Sequence, residues 1–175
     1  MMSDFPNSYY AASLNRNKKS YSKLTDSYEC DVCVIGGGFT GLSTAIEASK
    51  KGLKVILIEQ NIIGWGASGR NGGQIWNDVS WGIENIEKNY GFTHANQLWN
   101  ISQAAVELID ERIAEFGIEC DKKNGGIHAA TSTSKLREYV ENCEYKSKTF
   151  NYNKLEVLNK IQTQEEIGSS IYHGG

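Results

Sequence analysis

The chain has 175 residues, 39% of them hydrophobic, and a net charge of −3, so it is long enough for one domain with its own core or for one domain and part of another. Because the charge is mild and lysine and arginine are scattered along the chain, we expect no nucleic-acid partner and no attraction to anionic membranes. No apolar run reaches the roughly 18 residues of a membrane span, and the first residues lack a secretory signal, which together predict a cytoplasmic protein.

The first part of the chain predicts an exposed arm followed by a buried strand. Residues 1–29 are polar and rich in serine, tyrosine and asparagine, so we expect a surface-lying arm there. The short apolar run from Cys30 to Ile35 ends in three glycines, which is typical of a buried parallel strand. Cys30 and Cys33 have CxxC spacing, but positions i and i+3 of a strand point to opposite faces. We therefore predict reduced, buried core cysteines and no metal site.

A helix and a second strand complete a β-α-β unit. The helix ends before Gly52, which stands where a C-terminal cap belongs. The second buried strand is predicted at "KVILIE", and its crossover connection should be right-handed. Small and apolar side chains at positions i, i+3, i+4 and i+7 form the predicted inner face of the helix: Leu42, Ala45, Ile46 and Ser49.

Helical and strand-like patterns continue through the second half of the chain. A long helix is predicted from Thr93, as its N-cap, to Phe116, with Gly117 ending it. We further predict a strand at "GGIHAA" (residues 125–130), a helix from Ser132 or Thr133 towards Phe150, a short strand at "KLEVLN", one or two helical turns at "TQEEIG" and a strand-like run at "SSIYHGG".

Three glycines between the first strand and the helix form the pattern GxGxxG: Gly36, Gly38 and Gly41. The pattern alone is weak, but here it lies between an apolar strand and a helix, and a second strand follows. Gly36 permits a tight turn out of the strand, and Gly38 lets the backbone approach a pyrophosphate. Gly41 allows the helix and the strand to pack closely.

The same turn has features that favour an adenine dinucleotide. Phe39 and Thr40 lie at the N-terminus of the helix, where free N–H groups and the positive end of the helix dipole favour a diphosphate. Glu59 ends the second strand, and its carboxylate can accept hydrogen bonds from both hydroxyls of an adenosine ribose while repelling a 2′-phosphate. NADP is therefore disfavoured, whereas NAD and FAD stay open. The structural alternative is an ordinary strand-turn-helix with an incidental glutamate.

A second glycine-rich stretch bears on which dinucleotide is bound. "GWGASGRNGG", from Gly64 to Gly73, has five glycines in ten residues. Such backbone can lie against a planar ring and offer N–H donors to phosphate or flavin oxygens. FAD, with its bulky tricyclic end, needs a second contact of this kind. The alternative is a flexible surface loop, against which Trp65 and the pair Arg70 and Asn71 argue mildly.

With these stretches the chain resembles the FAD-dependent oxidoreductases of the D-amino-acid oxidase superfamily, and within it the γ-glutamylputrescine oxidoreductase group. The resemblance covers nearly the whole chain, and "GASGRNGG" is its most specific part. The other matching stretches are "SYYAAS", "CDVCVIGGGFTGLSTAIEASKKGLKVILIEQ", "IGWGASGRNGGQ", "KNGGIHAA" and "IYHGG".

The resemblance implies a role for each part of the cofactor site. Some relatives attach the flavin covalently through a histidine in the second stretch, where this chain has Arg70 and Asn71, so non-covalent FAD is expected. No residue is assigned a catalytic role and none a metal. The resemblance implies that the pyrophosphate is bound by Gly36, Gly38, Phe39, Thr40 and Gly41. It implies that the adenosine ribose is bound by Glu59, with Gln60 beside it. The residues implied to line the diphosphate, the ribityl chain and the flavin are Ala67, Ser68, Arg70, Asn71, Gly72 and Gly73.

The fold that the resemblance implies is α/β, a Rossmann-like FAD/NAD(P)-binding fold with the start of an α+β substrate domain. Residues 1–29 would be the arm, residues 30–118 the FAD-binding portion and residues 119–175 the beginning of the substrate domain. Family members are considerably longer, so the resemblance also implies an N-terminal fragment, by truncation, by gene splitting or by the choice of the expressed segment. A separately encoded C-terminal half is then an expected partner.

The function that the resemblance implies is oxidation of a C–N bond in a small-molecule amine or amino-acid substrate, as in putrescine catabolism. FAD carries that redox chemistry, and the protein binds and orients it. Two other hypotheses stay open from the residues: a non-catalytic dinucleotide-binding remnant, and an NAD-dependent dehydrogenase domain.

Overall fold

The computed structural model describes residues 8–13 and 21–175, so part of the predicted arm lies outside the described residues. Of that arm, Tyr9–Ser13 forms the short helix α1, and residues 21–29 are exposed and irregular. The described chain divides after Ile75 into two compact units. No helix of the described residues is long and apolar enough to cross a membrane.

The first unit contains the β-α-β arrangement that the sequence predicts. Strand β1 (Val32–Ile35) is followed by helix α2 (Phe39–Lys50) and strand β2 (Val55–Ile58). The strands pair in parallel, with Val32 opposite Val55 and Ile35 opposite Ile58. The β-α-β prediction is therefore confirmed, although β1 begins two residues later than predicted.

A glycine ends helix α2 at its C-terminus. Gly52 has a φ of +79°, a left-handed conformation that favours glycine. Its N–H donates to the Ser49 carbonyl at 2.9 Å and the next N–H, of Leu53, to the Ala48 carbonyl at 3.2 Å, which closes the last turn. The predicted C-terminal cap is thus confirmed. On the predicted inner face of α2, Leu42, Ala45 and Ile46 are half-buried, whereas Ser49 is exposed.

The prediction that β1 is a buried strand is wrong. Val34 is 8% exposed, but Ile35 is 87% exposed and Cys33 is also exposed. Alternate residues of a strand point to opposite faces; α2 packs on this sheet, and Cys33 and Ile35 point to the face that the described residues leave uncovered. The cysteine prediction fails for the same reason, since Cys30 is only half-buried, although both thiols are free. The described residues contain no group of three or more potential metal ligands.

The second unit is mainly helical. The long helix predicted with Thr93 as its N-cap begins two residues earlier, because its N-cap is Gly91. Gly117, with a φ of +56°, ends it as predicted. The helix expected from Ser132 or Thr133 is confirmed, with Ser132 as N-cap, whereas the first helix of this unit was not predicted. The helices are α3 (Ile83–Tyr90), α4 (Phe92–Phe116), α5 (Thr133–Phe150) and α6 (Lys160–Ile167).

The core of the second unit forms where α3 crosses the first half of α4. Ile83 and Ala95 are fully buried and Trp99 is 4% exposed. The Trp99 ring stacks on Phe150, at the end of α5, with ring centroids 4.6 Å apart. Tyr152 closes the cluster with an edge-to-face contact to Trp99 at 5.2 Å. Aromatic pairs of this kind add to the free energy gained from burial.

Polar side chains attach α5 to the same core. Lys146 is only 9% exposed, and its ammonium lies 2.5 Å from the Asp78 carboxylate. One turn earlier on α5, Asn142 donates a hydrogen bond to the Glu84 carboxylate. A buried cation needs such a partner, because an unpaired charge is costly to remove from water.

The three strands predicted in the last third of the chain are not regular strands. Ala130 forms an isolated antiparallel bridge with Gly174, whose carbonyl accepts the Ala130 N–H at 2.8 Å. Leu158 and Gly175 exchange hydrogen bonds of 2.8 and 3.1 Å. The predicted segments therefore meet, but each contributes too few hydrogen bonds for a ladder. The helical turns predicted at "TQEEIG" belong to α6.

Candidate functional site

The turn after β1 has the conformation that the glycine pattern predicts. Gly36 has a φ of +103°, and its N–H donates to the Ile58 carbonyl at 2.7 Å, which ties the turn to the end of β2. A Cβ on Gly41 would lie 1.9 Å from the Gly36 carbonyl oxygen and 3.3 Å from Val34 Cγ1. Both glycines are thus required by the backbone, one for the turn and one for the contact between helix and strand.

The N-terminus of α2 meets the second glycine-rich stretch. The Phe39 N–H donates to the Ser68 hydroxyl oxygen at 3.0 Å. A Cβ on Gly38 would lie 2.9 Å from the same oxygen, so the absence of a side chain permits this approach. Thr40 and Gly41 follow in the first helical turn, whose N–H groups have no acceptor within the helix. The positive end of α2 is therefore open to an anion beside Ser68.

Internal hydrogen bonds shape the second stretch. A 3₁₀ turn at Ala67–Gly69 is held by the Asn71 amide, which donates to the Ser68 carbonyl at 2.9 Å. The Asn71 side-chain oxygen accepts the Gly73 N–H at 2.8 Å. The Arg70 guanidinium lies over the Trp65 ring at 5.0 Å. Asn71 and Arg70 thus fix the loop that carries the backbone around Ser68.

Between α2 and this loop lies an open cleft of about 360 Å³. None of its lining residues carries a charge, and glycine makes up part of the wall, so a ligand can reach main-chain atoms. Of the predicted site residues, Gly36, Gly38, Thr40 and Gly41 lie in the adjoining turn and helix, and Arg70 stands against Trp65. The cleft is lined by Phe39, Ala67, Ser68, Asn71, Gly72 and Gly73, which were predicted, and by Gln74, which was not.

Glu59 lies on the other side of the glycine turn. One carboxylate oxygen accepts the Gly37 N–H at 2.7 Å, and the other accepts the Asn61 N–H at 2.8 Å. The Gly37 N–H, followed by that of Asn61, lowers the pKa of Glu59 below its ordinary value, against a smaller opposing effect of burial. The group is therefore an anion at neutral pH, and each oxygen retains a lone pair for a hydroxyl donor. Gln60 follows as an exposed residue.

Gly37 is a site residue that the sequence interpretation missed. It is one of the variable positions of GxGxxG, but its N–H is bound by Glu59 and its carbonyl accepts the Gly64 N–H at 3.0 Å. A Cβ on Gly37 would lie 2.4 Å from Ile63 Cδ1. The only signal in the sequence was the run of three glycines at residues 36–38.

These residues together can bind a phosphate-bearing ligand through backbone groups. The cleft offers uncharged walls and the N-terminus of a helix, which favours phosphate. A carboxylate lies at the opposite side of the turn, where it can accept hydrogen bonds from sugar hydroxyls. The site contains no nucleophile paired with a base, so it is suited to holding a ligand rather than to chemistry by its own side chains.

Comparison with known proteins gives a family match over most of the chain. The family described as "DAO: FAD dependent oxidoreductase" matches residues 31–175. No solved structure gives a significant match.

Curated relatives match along almost the whole chain. A probable oxidoreductase OrdL of Haemophilus influenzae is 40% identical over 96% of the chain and 39% of its own length. The γ-glutamylputrescine oxidoreductase of Escherichia coli is 40% identical over 99% of the chain and 40% of its own length. A probable oxidoreductase OrdL of Rhizobium meliloti is 29% identical over 96% of the chain. The chain thus spans about two fifths of the length of the curated relatives it matches.

Proposed function

The chain belongs to the DAO family of FAD-dependent oxidoreductases, and we propose that it forms the FAD-binding part of an enzyme that oxidises a C–N bond of an amine or amino-acid substrate. The observation that carries this proposal is the meeting of the two glycine-rich stretches at the N-terminus of α2, where Phe39 N–H donates to Ser68 Oγ. We further propose that β1, α2 and β2 are the first elements of a Rossmann-like fold.

The residues present fit FAD at both ends of the site. The turn Gly36–Gly41 and the first turn of α2 would hold the pyrophosphate. The N–H groups of Gly36, Gly37 and Phe39 already have acceptors within the chain. Those of Gly38, Thr40 and Gly41, at the positive end of the helix dipole, would donate to the phosphate oxygens. Glu59 would accept the hydroxyls of the adenosine ribose and has the lone pairs to do so. The chemistry that FAD would supply when bound is removal of a hydride from the carbon of the substrate C–N bond.

The chain's own side chains bind and orient rather than react. Ser68 accepts the Phe39 N–H and keeps its own hydroxyl proton to donate to a phosphate oxygen. Asn71 fixes the loop through the Ser68 carbonyl, and the stretch Gly72–Gly73 lines the cleft with backbone. The second stretch has no histidine between residues 64 and 73, which supports non-covalent binding of FAD.

We propose a small amine related to γ-glutamylputrescine as the substrate and putrescine catabolism in the cytoplasm as its setting. The support is the 40% identity to the E. coli γ-glutamylputrescine oxidoreductase. The family match favours FAD over the NAD-dependent alternative. A non-catalytic FAD-binding remnant is the second candidate, because no described residue of the site has an assigned catalytic role.

We also propose a polypeptide partner, one that corresponds to the remainder of the matched relatives. This partner would cover the open face of the sheet, and the exposure of β1 on that face supports the idea: Ile35 is 87% exposed, an unusual position for a strand side chain of its size. The partner would also supply most of the substrate contacts.

The experiment is an FAD titration of the purified chain followed by flavin fluorescence. We expect saturable quenching, release of free flavin on acid precipitation, and no comparable effect of NAD. Gly38→Val should weaken binding roughly tenfold or more, because its side chain would displace Ser68 from the N-terminus of α2. Ser49→Val is the control, since Ser49 is an exposed residue near the C-terminal end of α2, away from the cleft. A folded chain that leaves flavin fluorescence unchanged would refute the proposal.

Turnover separates the enzyme from the remnant. The chain, supplied with the remaining portion of the E. coli relative as a second polypeptide, should reduce an artificial electron acceptor when γ-glutamylputrescine is added. FAD binding without turnover under these conditions supports the non-catalytic candidate.

A further inference from the structure

Three contacts converge on the peptide units of Gly37, in the middle of the glycine turn. Its N–H donates to Glu59 Oε2 at 2.7 Å, and its carbonyl accepts the Gly64 N–H at 3.0 Å. Its α-carbon also packs on the chain after β2, since an added Cβ would lie 2.4 Å from Ile63 Cδ1 and 3.3 Å from Glu59 Oε2. The residue is therefore held on both sides by groups more than twenty positions away in the sequence.

The Glu59 carboxylate joins two segments of the site. Its second oxygen accepts the Asn61 N–H at 2.8 Å, and Asn61 begins the segment that leads to Ile63 and Gly64. One carboxylate oxygen thus accepts a hydrogen bond from the glycine turn, and the other accepts one from the segment that leads into the second glycine-rich stretch. Both bonds are to a charged acceptor, which makes them stronger than bonds between neutral groups.

We propose that Glu59 is a positioning residue for the phosphate end of the site, in addition to any contact that it makes with a ribose. By fixing the Gly37 amide, it orients the peptides of Gly37 and Gly38, from which the N-terminus of α2 starts. This inference rests on the proposed function, because it concerns the binding of the dinucleotide at that site. The Glu59 carboxylate would then have two roles: it would contact the ribose, and it would hold the conformation of the turn that binds the phosphates.

Substitution by glutamine should disturb the turn. A glutamine side chain offers one acceptor oxygen and one NH2 group, so it can serve either the Gly37 or the Asn61 N–H but presents a donor to the other. Glu59→Gln therefore leaves one backbone N–H facing another donor. Glu29→Gln is the matched control, since it removes a carboxylate from an exposed, irregular position just before β1.

The first test uses a ligand that lacks the ribose hydroxyls. Isothermal titration calorimetry would measure binding of ADP and of 2′,3′-dideoxyadenosine 5′-diphosphate to the wild-type chain and to Glu59→Gln. We expect a loss of roughly tenfold for both ligands, and none for Glu29→Gln. A loss with ADP that disappears with the dideoxy ligand would assign Glu59 to the ribose alone and overturn the inference.

The second test needs no variant and no nucleotide. In ¹H–¹⁵N spectra of the wild-type chain, the Gly37 amide proton should shift upfield as Glu59 is protonated, together with that of Asn61 and at the same pH midpoint. A Gly37 resonance that ignores this titration would overturn the inference. Failure of the wild-type chain to bind FAD or ADP would instead count against the proposed function, and the Gly37 titration would still decide the positioning role.

Discussion

Replacement of Gly41 by alanine tests the packing of α2 against the turn. The added Cβ would lie 1.9 Å from the Gly36 carbonyl oxygen, a backbone atom, whereas ordinary van der Waals contact begins at 3.4 Å. The helix and the turn must therefore separate by more than an ångström. This movement also strains the 2.7 Å hydrogen bond from Gly36 N–H to the Ile58 carbonyl.

The expected magnitude follows from opposing contributions. Overpacking of this kind costs about 1–3 kcal/mol, and a weakened backbone hydrogen bond costs about 1 kcal/mol more. Alanine is the better helix former by about 1 kcal/mol, which offsets part of the cost. We expect Gly41→Ala to lower the free energy of unfolding of the first unit by about 2 kcal/mol and to weaken FAD binding with it.

The assay is urea unfolding followed through the amide signals of residues 32–58, which report on the first unit alone. Gly66→Ala is the control, because the Gly66 φ of −78° suits alanine and its Cβ position is empty; its free energy of unfolding should change by no more than about 0.5 kcal/mol. Equal stability of Gly41→Ala and Gly66→Ala would refute the packing argument.

Three other predictions concern the second unit. Lys146→Met should lower the free energy of unfolding by about 2 kcal/mol, since the mostly buried Asp78 carboxylate loses its cation. The control Lys148→Met, at an exposed ion pair, should change the free energy of unfolding by no more than about 0.5 kcal/mol. Equal urea midpoints for the two variants would contradict this prediction. Burial, followed by the hydrogen bond to Glu87, raises the pKa of Tyr145 well above its ordinary value. Its stabilising contribution is therefore complete below the unfolded-state pKa and is lost as the pH rises through the folded-state pKa. The Tyr145 phenol should ionise only on alkaline unfolding, as measured by the difference in tyrosinate absorbance between the wild-type chain and Tyr145→Phe, and its ionisation in the folded chain would be the contrary result. Asn159→Ala removes a capping box and should cost about 1 kcal/mol in thermal unfolding by circular dichroism, whereas an unchanged midpoint would show that the cap contributes nothing.

The β-α-β unit was predictable because its determinants are local. A glycine with positive φ follows β1, and another follows α2. A single residue therefore determines where each of these elements ends. The same holds for Gly117 after α4 and for Ser132 before α5, whose hydroxyl accepts the Lys135 N–H at 3.2 Å. Caps of this kind can be identified without knowledge of the rest of the fold.

Exposure and pairing were not predictable in the same way. The apolar run containing Cys33 and Ile35 predicts a strand buried on both faces, but burial depends on what covers the sheet. The short helix α3 was missed because its eight residues include only two buried ones, Ile83 and Ile86. Those two side chains pack against α4, and Asn142, far along the chain, donates a hydrogen bond to Glu84; no local pattern indicates either contact.

Most residues of the candidate site were predicted, with Gly37 and Gln74 as exceptions, but its internal connections were not. The glycine pattern and the second stretch indicate which segments approach a dinucleotide. No local pattern indicates that Ser68 accepts the Phe39 N–H or that Glu59 binds Gly37. These bonds join residues 22 and 29 positions apart, so they depend on how β2 returns beside β1.

The central claim is that two glycine-rich stretches form one FAD site at the N-terminus of α2. Titration of the ¹⁵N-labelled chain with FAD tests it most directly, by mapping which backbone amides change their chemical shift. The account predicts that the largest shifts fall on residues 36–41, 59–61 and 66–74, and that Gly38→Val raises the FAD concentration needed to reach them by roughly tenfold or more. Saturable shifts confined to residues 76–175, with those three segments unchanged, would contradict it.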